Sequence, residues 1–227
     1  MIDQIGDRMK KYEQVFDLTV PPRMPVMIRL DGKAFHTLTK KMQKPFDEDF
    51  MATMDTIGLY LLKSIQGARI CYVQSDEITL FLHTYNKFDT NIWMGGRVQK
   101  IVSISAGMAS SLFSVFENKM VQFDSRVFVL SKEEVYNNFL WRSKDCIRNA
   151  ILSYGQHKFG HKECLNLKTG ELLNKIPKEE WSEVSPRAKF GKLFLNYFGV
   201  DELSIFTDPV KDHQKEIDFI VDYQEDE

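Results

Sequence analysis

The sequence lacks the features that mark secreted and membrane proteins. Its three cysteines, Cys71, Cys146 and Cys164, are odd in number and form no Cys-x-x-Cys pair, which argues against a disulfide framework and indicates a reducing compartment. No apolar run reaches the roughly 18 residues of a membrane span, and residues 1–12 are too polar for a signal peptide. We therefore expect a soluble cytoplasmic protein that has no membrane partner.

A strong net charge and low-complexity segments are also missing. The 30 lysine and arginine residues nearly balance the 32 aspartate and glutamate residues, so the formal net charge of −2 gives no global attraction to nucleic acid. Any nucleic-acid partner must therefore be bound by a local patch. The chain has no internal repeat and no Gly/Ser-rich linker, and its 227 residues, 43% of them hydrophobic, suffice for one large domain or for one domain with an appendage.

What the sequence does contain is an orderly alternation of β-rich runs and helical patterns. Short apolar runs bounded by turn residues predict four strands, and apolar spacings of three and four residues predict three helices. The predicted strands are residues 26–30, 70–73, 78–82 and 126–130, and the predicted helices are residues 47–64, 89–117 and 131–154. The order β-α-β-β-α-β is typical of the ferredoxin-like α+β fold. Helices and loops are expected after this unit, with a frayed acidic tail from residue 218.

Three carboxylates interrupt the strand pattern at positions that the fold brings together. Asp31 closes the first strand, and Asp76 with Glu77 opens the third, its neighbour in the middle of the predicted sheet. Clustered acids repel and raise each other's pKa unless a cation neutralises them. Hard oxygen ligands at an open edge suit Mg²⁺, and two such ions can activate an attacking oxygen and stabilise a leaving pyrophosphate. Taken separately, each acid also fits ordinary solvated turn chemistry.

Four motifs carry a resemblance to a known family. They are R-L-D-G-K-A-F-H at residues 29–36, Q-S-D-E at 74–77, F-D-S-R-V at 123–127 and W-R-S-K-D-C at 141–146. In order and spacing the sequence resembles the tRNA-His guanylyltransferase family, enzymes that add nucleotides in the 3′-to-5′ direction on a palm domain like that of polymerases. The resemblance implies a palm-like catalytic domain over residues 1–165, with residues 166–227 as an extension packed on the palm.

The resemblance also implies a set of site residues. Asp31, Asp76 and the Gly32 carbonyl would hold two Mg²⁺ ions, with Glu77 in the same catalytic cluster, and a glycine lets backbone approach a metal closely. Nucleotide contacts are assigned to Gly32, Lys33, Ala34, Phe35, His36, Lys44, Ser75, Arg97, Lys100 and Asn149. The residues alone leave two alternatives open: Phe35 could simply pack, and Arg97 with Lys100 could form a solvated helix end.

A basic concentration lies on and after the third predicted helix. It comprises Arg142, Lys144, Arg148 and Lys158, and we assign it, with the more distant Lys189, to tRNA binding, which would be salt-sensitive. A charge cluster of this size is also compatible with an ordinary solvated face.

One departure from the family pattern bears on the substrate. Eukaryotic members carry a histidine directly after the Asp-Cys of the tryptophan motif, whereas Ile147 stands there in this sequence. This departure is similar to the shorter members that repair truncated tRNA 5′ ends. We therefore expect template-dependent 3′-to-5′ nucleotide addition with 5′ activation by ATP or GTP and, following the family, a homotetramer. The alternatives are guanosine addition to tRNA-His, a nucleotidyl cyclase on the same frame, and a non-catalytic RNA-binding module.

Overall fold

The protein is built on one antiparallel sheet of six strands. The computed structural model describes residues 4–225, and its strands follow the order β4-β1-β3-β2-β5-β6 across the sheet. The strands are β1 (Val26–Gly32), β2 (Ala68–Gln74), β3 (Glu77–Leu82), β4 (Phe123–Val129), β5 (Lys192–Leu195) and β6 (Ser204–Phe206). β1 and β3 pair in the middle of the sheet, as the ferredoxin-like order requires. The predicted α+β fold is confirmed.

Helices cover both faces of this sheet. They are α1 (Gln4–Glu13), α2 (Phe35–Leu38), α3 (Glu48–Ser64), α4 (Val98–Glu117), α5 (Lys132–Phe159), α6 (His161–Cys164), α7 (Thr169–Lys175), α8 (Lys178–Glu183), α9 (Pro186–Phe190) and α10 (Gln214–Asp222). Short 3₁₀ turns occupy Gln14–Phe16, Thr39–Lys41, Trp93–Gly96 and Val210–His213. α3 and α4 pack on one face of the sheet, and α5 with α10 packs on the other.

Alternation of side chains along the strands divides the core into two layers. In β1, Ile28 and Leu30 belong to the layer under α3 and α4, whereas Met27 belongs to the layer under α5. Phe113 of α4 and Phe139 of α5 are fully buried in these two layers. Burying side chains of this size stabilises the fold by about 1.5–3 kcal/mol each. The core therefore covers most of both faces of the sheet, and polar chemistry is left to the parts that the core does not cover.

The second long helix begins later than its sequence pattern predicts. The pattern indicates a start near residue 89, but α4 begins at Val98. The reason is a tight turn at Trp93–Gly96, in which Met94 and Gly95 have φ of 54° and 63°. Left-handed residues cannot continue a right-handed helix, so the chain from β3 to α4 runs as a loop.

The C-terminal segment extends the sheet, whereas the sequence predicts only helices and loops there. β5 pairs with β2, and β6 pairs with β5. The Tyr72 hydroxyl donates a hydrogen bond of 2.6 Å to the carbonyl oxygen of Phe190, which ties the segment to the central strands. The expectation of a frayed tail from residue 218 is wrong as far as Asp222, where α10 ends. Residues 226–227 lie outside the described residues.

α4 is the one helix within residues 4–225 that is long and apolar enough to cross a membrane, with 20 residues. Its inner face carries Ile101, Ala109 and Phe113, all fully buried, and it packs against β4 and α3. We therefore interpret α4 as a core helix of the sheet.

Gly32 has a packing role that the sequence does not reveal. A Cβ atom at this position would lie 2.4 Å from Cγ of Phe35, whose ring is buried. We predict that Gly32→Ala lowers the free energy of unfolding by about 1–3 kcal/mol, the usual cost of overpacking, as measured by urea denaturation. Gly107→Ala is the control, because no atom lies within 4 Å of its Cβ position apart from its chain neighbours and the backbone of its own helix, and alanine favours a helix. Equal stability of Gly32→Ala and the parent chain would contradict the packing role.

Candidate active site

Asp31 and Asp76 lie together at one end of the central strands, where β1 ends and β3 begins. We call this end of the sheet its acidic edge. Asp31 is the penultimate residue of β1, and Asp76 lies in the two-residue turn between β2 and β3. The backbone amide of Gly32 donates a hydrogen bond of 3.1 Å to the carbonyl oxygen of Asp76. This bond holds the two loops together, and both carboxylates line one open depression.

The carboxylates at this edge repel one another. Asp31 is opposite Glu77 in β3 and opposite Asp124 in β4. Burial raises the pKa of Asp31 to about 6, together with the negative charges of Asp76 and of the two acids opposite it. Burial also raises the pKa of Asp76. A bound cation would favour the ionised form of both groups.

The donor set at this edge fits Mg²⁺. Within residues 4–225 no three histidine, cysteine, aspartate or glutamate side chains are arranged as a metal cage. Mg²⁺ does not require one, because it is commonly bound by one or two carboxylates, by waters and by substrate phosphates. Asp31, Asp76 and the Gly32 carbonyl supply hard oxygen atoms, and the raised pKa values indicate that protein cations do not balance the two carboxylates.

Glu77 and Arg142 bind each other, which overturns two sequence predictions. The Arg142 guanidinium donates hydrogen bonds of 2.6 Å to both oxygens of Glu77 and one of 3.0 Å to Asp145. Glu77 and Arg142 are each only 8% exposed. Glu77 is therefore not a free acid of the catalytic cluster, and Arg142 is not a surface contact for tRNA. A buried charge needs such a partner, and here the partner is 65 positions away in the sequence.

A cavity beside the carboxylates gathers several predicted nucleotide-binding residues. Its polar lining includes Lys44, Ser75 and Asn149, together with Thr39, Gln43, Asp47, Gln74 and Arg187. Thr39 and Ser75 also line the depression that contains Asp31 and Asp76, so the two spaces adjoin. A small polar molecule in the cavity can therefore extend directly to the carboxylates.

The predicted nucleotide-binding residues in the loop after β1 point in different directions. His36 and Ala34 are exposed and line the depression at the carboxylates. Lys33 reaches in another direction, and its Nζ donates a hydrogen bond of 3.0 Å to Gln122. Phe35 is 2% exposed and lies within an aromatic cluster of the core. The ring of Phe35 therefore has no face left to stack on a base. The residue still lines the depression at the carboxylates, so its contact with a nucleotide stays a prediction.

Arg97 and Lys100 lie at the opposite edge of the sheet from the carboxylates. α4 ends shortly before β4, whose first residue, Phe123, pairs with Gly32. The 20 residues of α4 span about 30 Å, so the start of the helix is remote from Gly32. At that start Arg97 forms an ion pair of 2.8 Å with Asp17. The prediction that this basic pair faces the metal edge is wrong for this chain, and both residues belong to an exposed helix end.

The predicted tRNA-binding residues do not form one basic surface. Lys158 is bound to Glu180, and Lys189 is buried over the ring of Trp181, so both contribute to the packing of the C-terminal helices. Lys144 and Arg148 remain exposed on α5, although Arg148 is also bound to Asp145. The basic patch inferred from the sequence is therefore reduced to these two residues.

Two features of the site escape the sequence analysis. Asp124 of β4 lies opposite Asp31 at the acidic edge. The sequence shows the motif that contains Asp124 but not this position. Arg187 lines the cavity while its guanidinium is bound to the buried carboxylate of Asp55, which also accepts from Lys192 at 3.0 Å. Asp55 and Arg187 are 132 positions apart, so only the fold brings them together.

Comparison with known proteins identifies the family. The family model described as tRNAHis guanylyltransferase, Thg1, matches residues 6–131, which is more than half of the chain. The chain belongs to the Thg1 family. Membership assigns it to the nucleotidyltransferases of that family.

Relatives within the Thg1 family differ in how much of their length this chain covers. A bacterial Thg1-like protein, solved in complex with ATP, is 34% identical with a TM-score of 0.88 over 96% of this chain and 99% of that one. A second such structure is in complex with GTP. The uncharacterized protein R259 of Acanthamoeba polyphaga mimivirus is 31% identical over 83% of this chain and 76% of its own length. The probable tRNA(His) guanylyltransferase of Homo sapiens is 29% identical over 56% of this chain and 45% of its own length. This chain thus spans about half the length of the curated animal relatives that it matches.

Removing the charge of Asp31 should stabilise the metal-free protein at neutral pH. A carboxyl group whose pKa is raised by folding costs no stability when the pH is below the pKa that it has in the unfolded chain. Above that value the cost grows until the pH passes about 6, the pKa of Asp31 in the folded chain. We predict that Asp31→Asn raises the free energy of unfolding by about 1 kcal/mol near pH 7.5, a value reduced for partial solvent exposure, and by almost nothing near pH 4. Urea denaturation in EDTA measures both values.

The control for this experiment is Asp89→Asn, which changes an exposed aspartate in the loop after β3. It should leave stability unchanged at both pH values. An equal gain from Asp31→Asn at the two pH values would show that charge repulsion is not the cause.

Breaking the Glu77–Arg142 pair should be costly. We predict that Glu77→Ala lowers the free energy of unfolding by about 3–5 kcal/mol, because it leaves the Arg142 charge buried with a single acidic partner. Glu225→Ala is the matched control, since the Lys87–Glu225 pair is solvent-exposed and such pairs contribute about 0–1 kcal/mol. A Glu77→Ala variant that lost activity but kept full stability would contradict the structural role of the pair.

Proposed function

We propose that the protein adds nucleotides in the 3′-to-5′ direction to the 5′ end of tRNA, copying the opposite strand, and so repairs truncated 5′ ends. The observation that carries the proposal is the edge formed by Asp31 and Asp76 with a polar cavity beside it. Phosphoryl transfer asks a protein mainly to position oxygens and neutralise charge, and this arrangement is suited to both tasks. Similarity to a bacterial Thg1-like protein over nearly its whole length supports the proposal.

In this proposal Asp31, Asp76 and the Gly32 carbonyl hold two Mg²⁺ ions. When bound, the ions would supply positive charge for the phosphate oxygens of both substrates. Their binding would also relieve the repulsion that raises the pKa of Asp31. Glu77 has no catalytic role in the proposal, since Arg142 holds its carboxylate.

The adjoining cavity is proposed to bind ATP or GTP. Lys44 brings a positive charge to it, and Ser75 and Asn149 bring hydrogen-bond donors that suit phosphate oxygens. His36, which is exposed at the rim of the same depression as Asp76, is assigned to a phosphate oxygen. The bacterial Thg1-like structures in complex with ATP and GTP support a nucleotide of this kind.

The proposed reaction has two chemical stages. The 5′ monophosphate of the tRNA first attacks the α-phosphate of ATP or GTP, so that a nucleotidyl group is transferred and pyrophosphate leaves. The 3′-hydroxyl of an incoming nucleoside triphosphate then attacks the activated 5′ phosphate, which forms the new phosphodiester bond and releases AMP or GMP. A triphosphorylated 5′ end needs no activation and releases pyrophosphate.

Ile147 favours repair over guanosine addition to tRNA-His. Its side chain packs against the apolar cluster that contains Ile151 and Leu172. It offers no polar atom at the position where eukaryotic members of the family carry a histidine. Guanosine addition to tRNA-His is the alternative, and the description of the matching family model itself supports it.

We further propose that the protein is cytoplasmic and forms a homotetramer. The free cysteines Cys71, Cys146 and Cys164 suit a reducing compartment. α1 has no buried residue within its bounds, and Tyr12 and Phe116 are among the apolar side chains that α1 and α4 leave exposed. Exposed apolar surface of this kind commonly marks protein–protein contacts, and copies of the same chain form most closed assemblies.

Sequencing of extended RNA ends tests the proposal most directly. The protein is incubated with Mg²⁺, nucleoside triphosphates and 5′-truncated tRNAs whose 3′ strands are varied. We expect the added nucleotides to be complementary to the opposite strand. Addition of guanosine to tRNA-His alone, whatever the opposite base, would select the alternative, and formation of a cyclic nucleotide from GTP without RNA would contradict both.

Asp76→Ala should abolish nucleotide addition and leave the fold intact. We predict a loss of activity of at least about 100-fold, since removing even a residue that only orients a metal ligand lowers activity about 10–100-fold. The free energy of unfolding should stay constant or rise, because the variant no longer buries a carboxyl group whose pKa is raised. Asp89→Ala, at an exposed position in the loop after β3, is the control and should remain active. Unchanged tRNA binding in EDTA together with no addition by the parent chain at any Mg²⁺ concentration would instead favour a non-catalytic RNA-binding module.

A further inference from the structure

Part of one sheet face is left open beside the carboxylates. α5 packs over β2 and is bound to β3 through Arg142. On β4, Asp124 and Arg126 share that face and are exposed. Arg29 of β1 pairs with Arg126 and is half-buried. We call this open surface, bounded by Trp141 of α5, the β1–β4 groove.

Trp141 is a large aromatic residue that the fold leaves uncovered. Its side chain is 53% exposed. The guanidinium carbons of Arg29 and Arg142 lie 5.4 Å and 4.6 Å from the indole centroid. Arg29 precedes Asp31 by two positions on the same face of β1, which corresponds to about 7 Å along the strand. The indole is therefore held close to the acidic edge.

An exposed indole flanked by guanidinium groups is suited to a nucleobase. Aromatic rings stack on the bases of single-stranded nucleic acid whatever their sequence, and arginine side chains bind the adjacent phosphates. Cation–π contacts with the two arginines also fix the orientation of the ring before a ligand arrives. Arg142 is bound to Glu77 and Asp145, and Arg126 is bound to Asp124. The β1–β4 groove thus combines a stacking surface with the positive charge of Arg29 near the carboxylates.

The site has two approaches, and the proposed reaction has two substrates. The cavity lined by Lys44 and Asn149 is closed on one side by Arg187 and Ala188 of α9 and suits a single nucleotide. The β1–β4 groove runs from Asp31 and Asp124 to Arg29 and Arg126, where the buried Met27 ends it. It is open to solvent at β4, so it can take the end of a longer chain. The Arg142–Glu77 pair lies between these two approaches.

Resting on the proposed function, we infer that Trp141 stacks on the terminal base of the RNA 5′ end and that Arg29 binds the backbone beside that base. The terminal phosphate then lies at Asp31 and Asp76, where it reacts. The occupant of the groove is an RNA 5′ end, because the last base of a stem has one face that no neighbouring base covers, and that face is free to stack on an indole.

The test combines three variants with two RNAs. The variants are Trp141→Leu, Trp141→Phe and the control Phe88→Leu. Phe88 is also an exposed aromatic residue with an arginine over its ring, but it lies in the loop that follows β3. The RNAs are acceptor-stem hairpins that are identical except for an abasic 5′-terminal nucleotide in one. Dissociation constants are measured with the full chain in EDTA, and KM values for hairpin and GTP are measured with Mg²⁺.

Trp141→Leu should weaken binding of the intact hairpin about tenfold, within the range that base stacking contributes, and should leave binding of the abasic hairpin unchanged. Trp141→Phe should keep most of the affinity because it keeps an aromatic face. KM for the hairpin should rise in Trp141→Leu while KM for GTP stays constant. Phe88→Leu should change neither value.

Three results would overturn the stacking role. Equal losses with both hairpins would indicate general structural damage, a raised KM for GTP would move Trp141 to the nucleotide cavity, and altered sedimentation of Trp141→Leu without RNA would indicate a contact between copies. The binding measurement does not need catalysis. Base-dependent binding without nucleotide addition would reject the proposed function and support the inference, whereas addition without base dependence would do the reverse.

Discussion

The ion pair between Arg142 and Glu77 is the interaction on which the site depends most. It joins the middle of α5 to the first residue of β3, directly after the turn that carries Asp76. Leaving either charge buried without its partner costs several kcal/mol, so the helix and the hairpin are held together. The direction of α5 over the sheet then sets where the cavity with Lys44 lies and which part of the sheet face stays open.

A second constraint is the excess of negative charge at the same edge. Arg142 neutralises Glu77, but it does not prevent the rise in the pKa of Asp31. The two loops also hold Ala34 and Ser75 at φ of 58° and 45°, a conformation that costs energy for residues with a side chain. The edge therefore combines electrostatic and backbone strain, as binding sites that are formed before their ligand arrives commonly do.

The sequence is sufficient to predict the central strands and the meeting of Asp31 with Asp76. Buried strands bounded by turn residues leave a strong local pattern, and the order of elements then determines which strands are neighbours. The partner of Glu77 could not be predicted, because the residue follows the turn by one position and its side-chain direction depends on a helix far along the chain. The location of Arg97 could not be predicted for a related reason. A helical pattern shows which face of a helix is apolar, but not which end of the helix lies near the acidic edge.

The late position of the C-terminal strands has a consequence for the newly made protein. The four strands that carry the acidic edge are complete at Val129, whereas Arg187 and β5, which close the cavity and extend the sheet, follow much later in the chain. Chains emerge from the ribosome N-terminal end first, and their domains fold as they become available. Since a domain folds as a unit, the cavity beside the acidic edge cannot enclose a nucleotide until Arg187 and β5 have also been made.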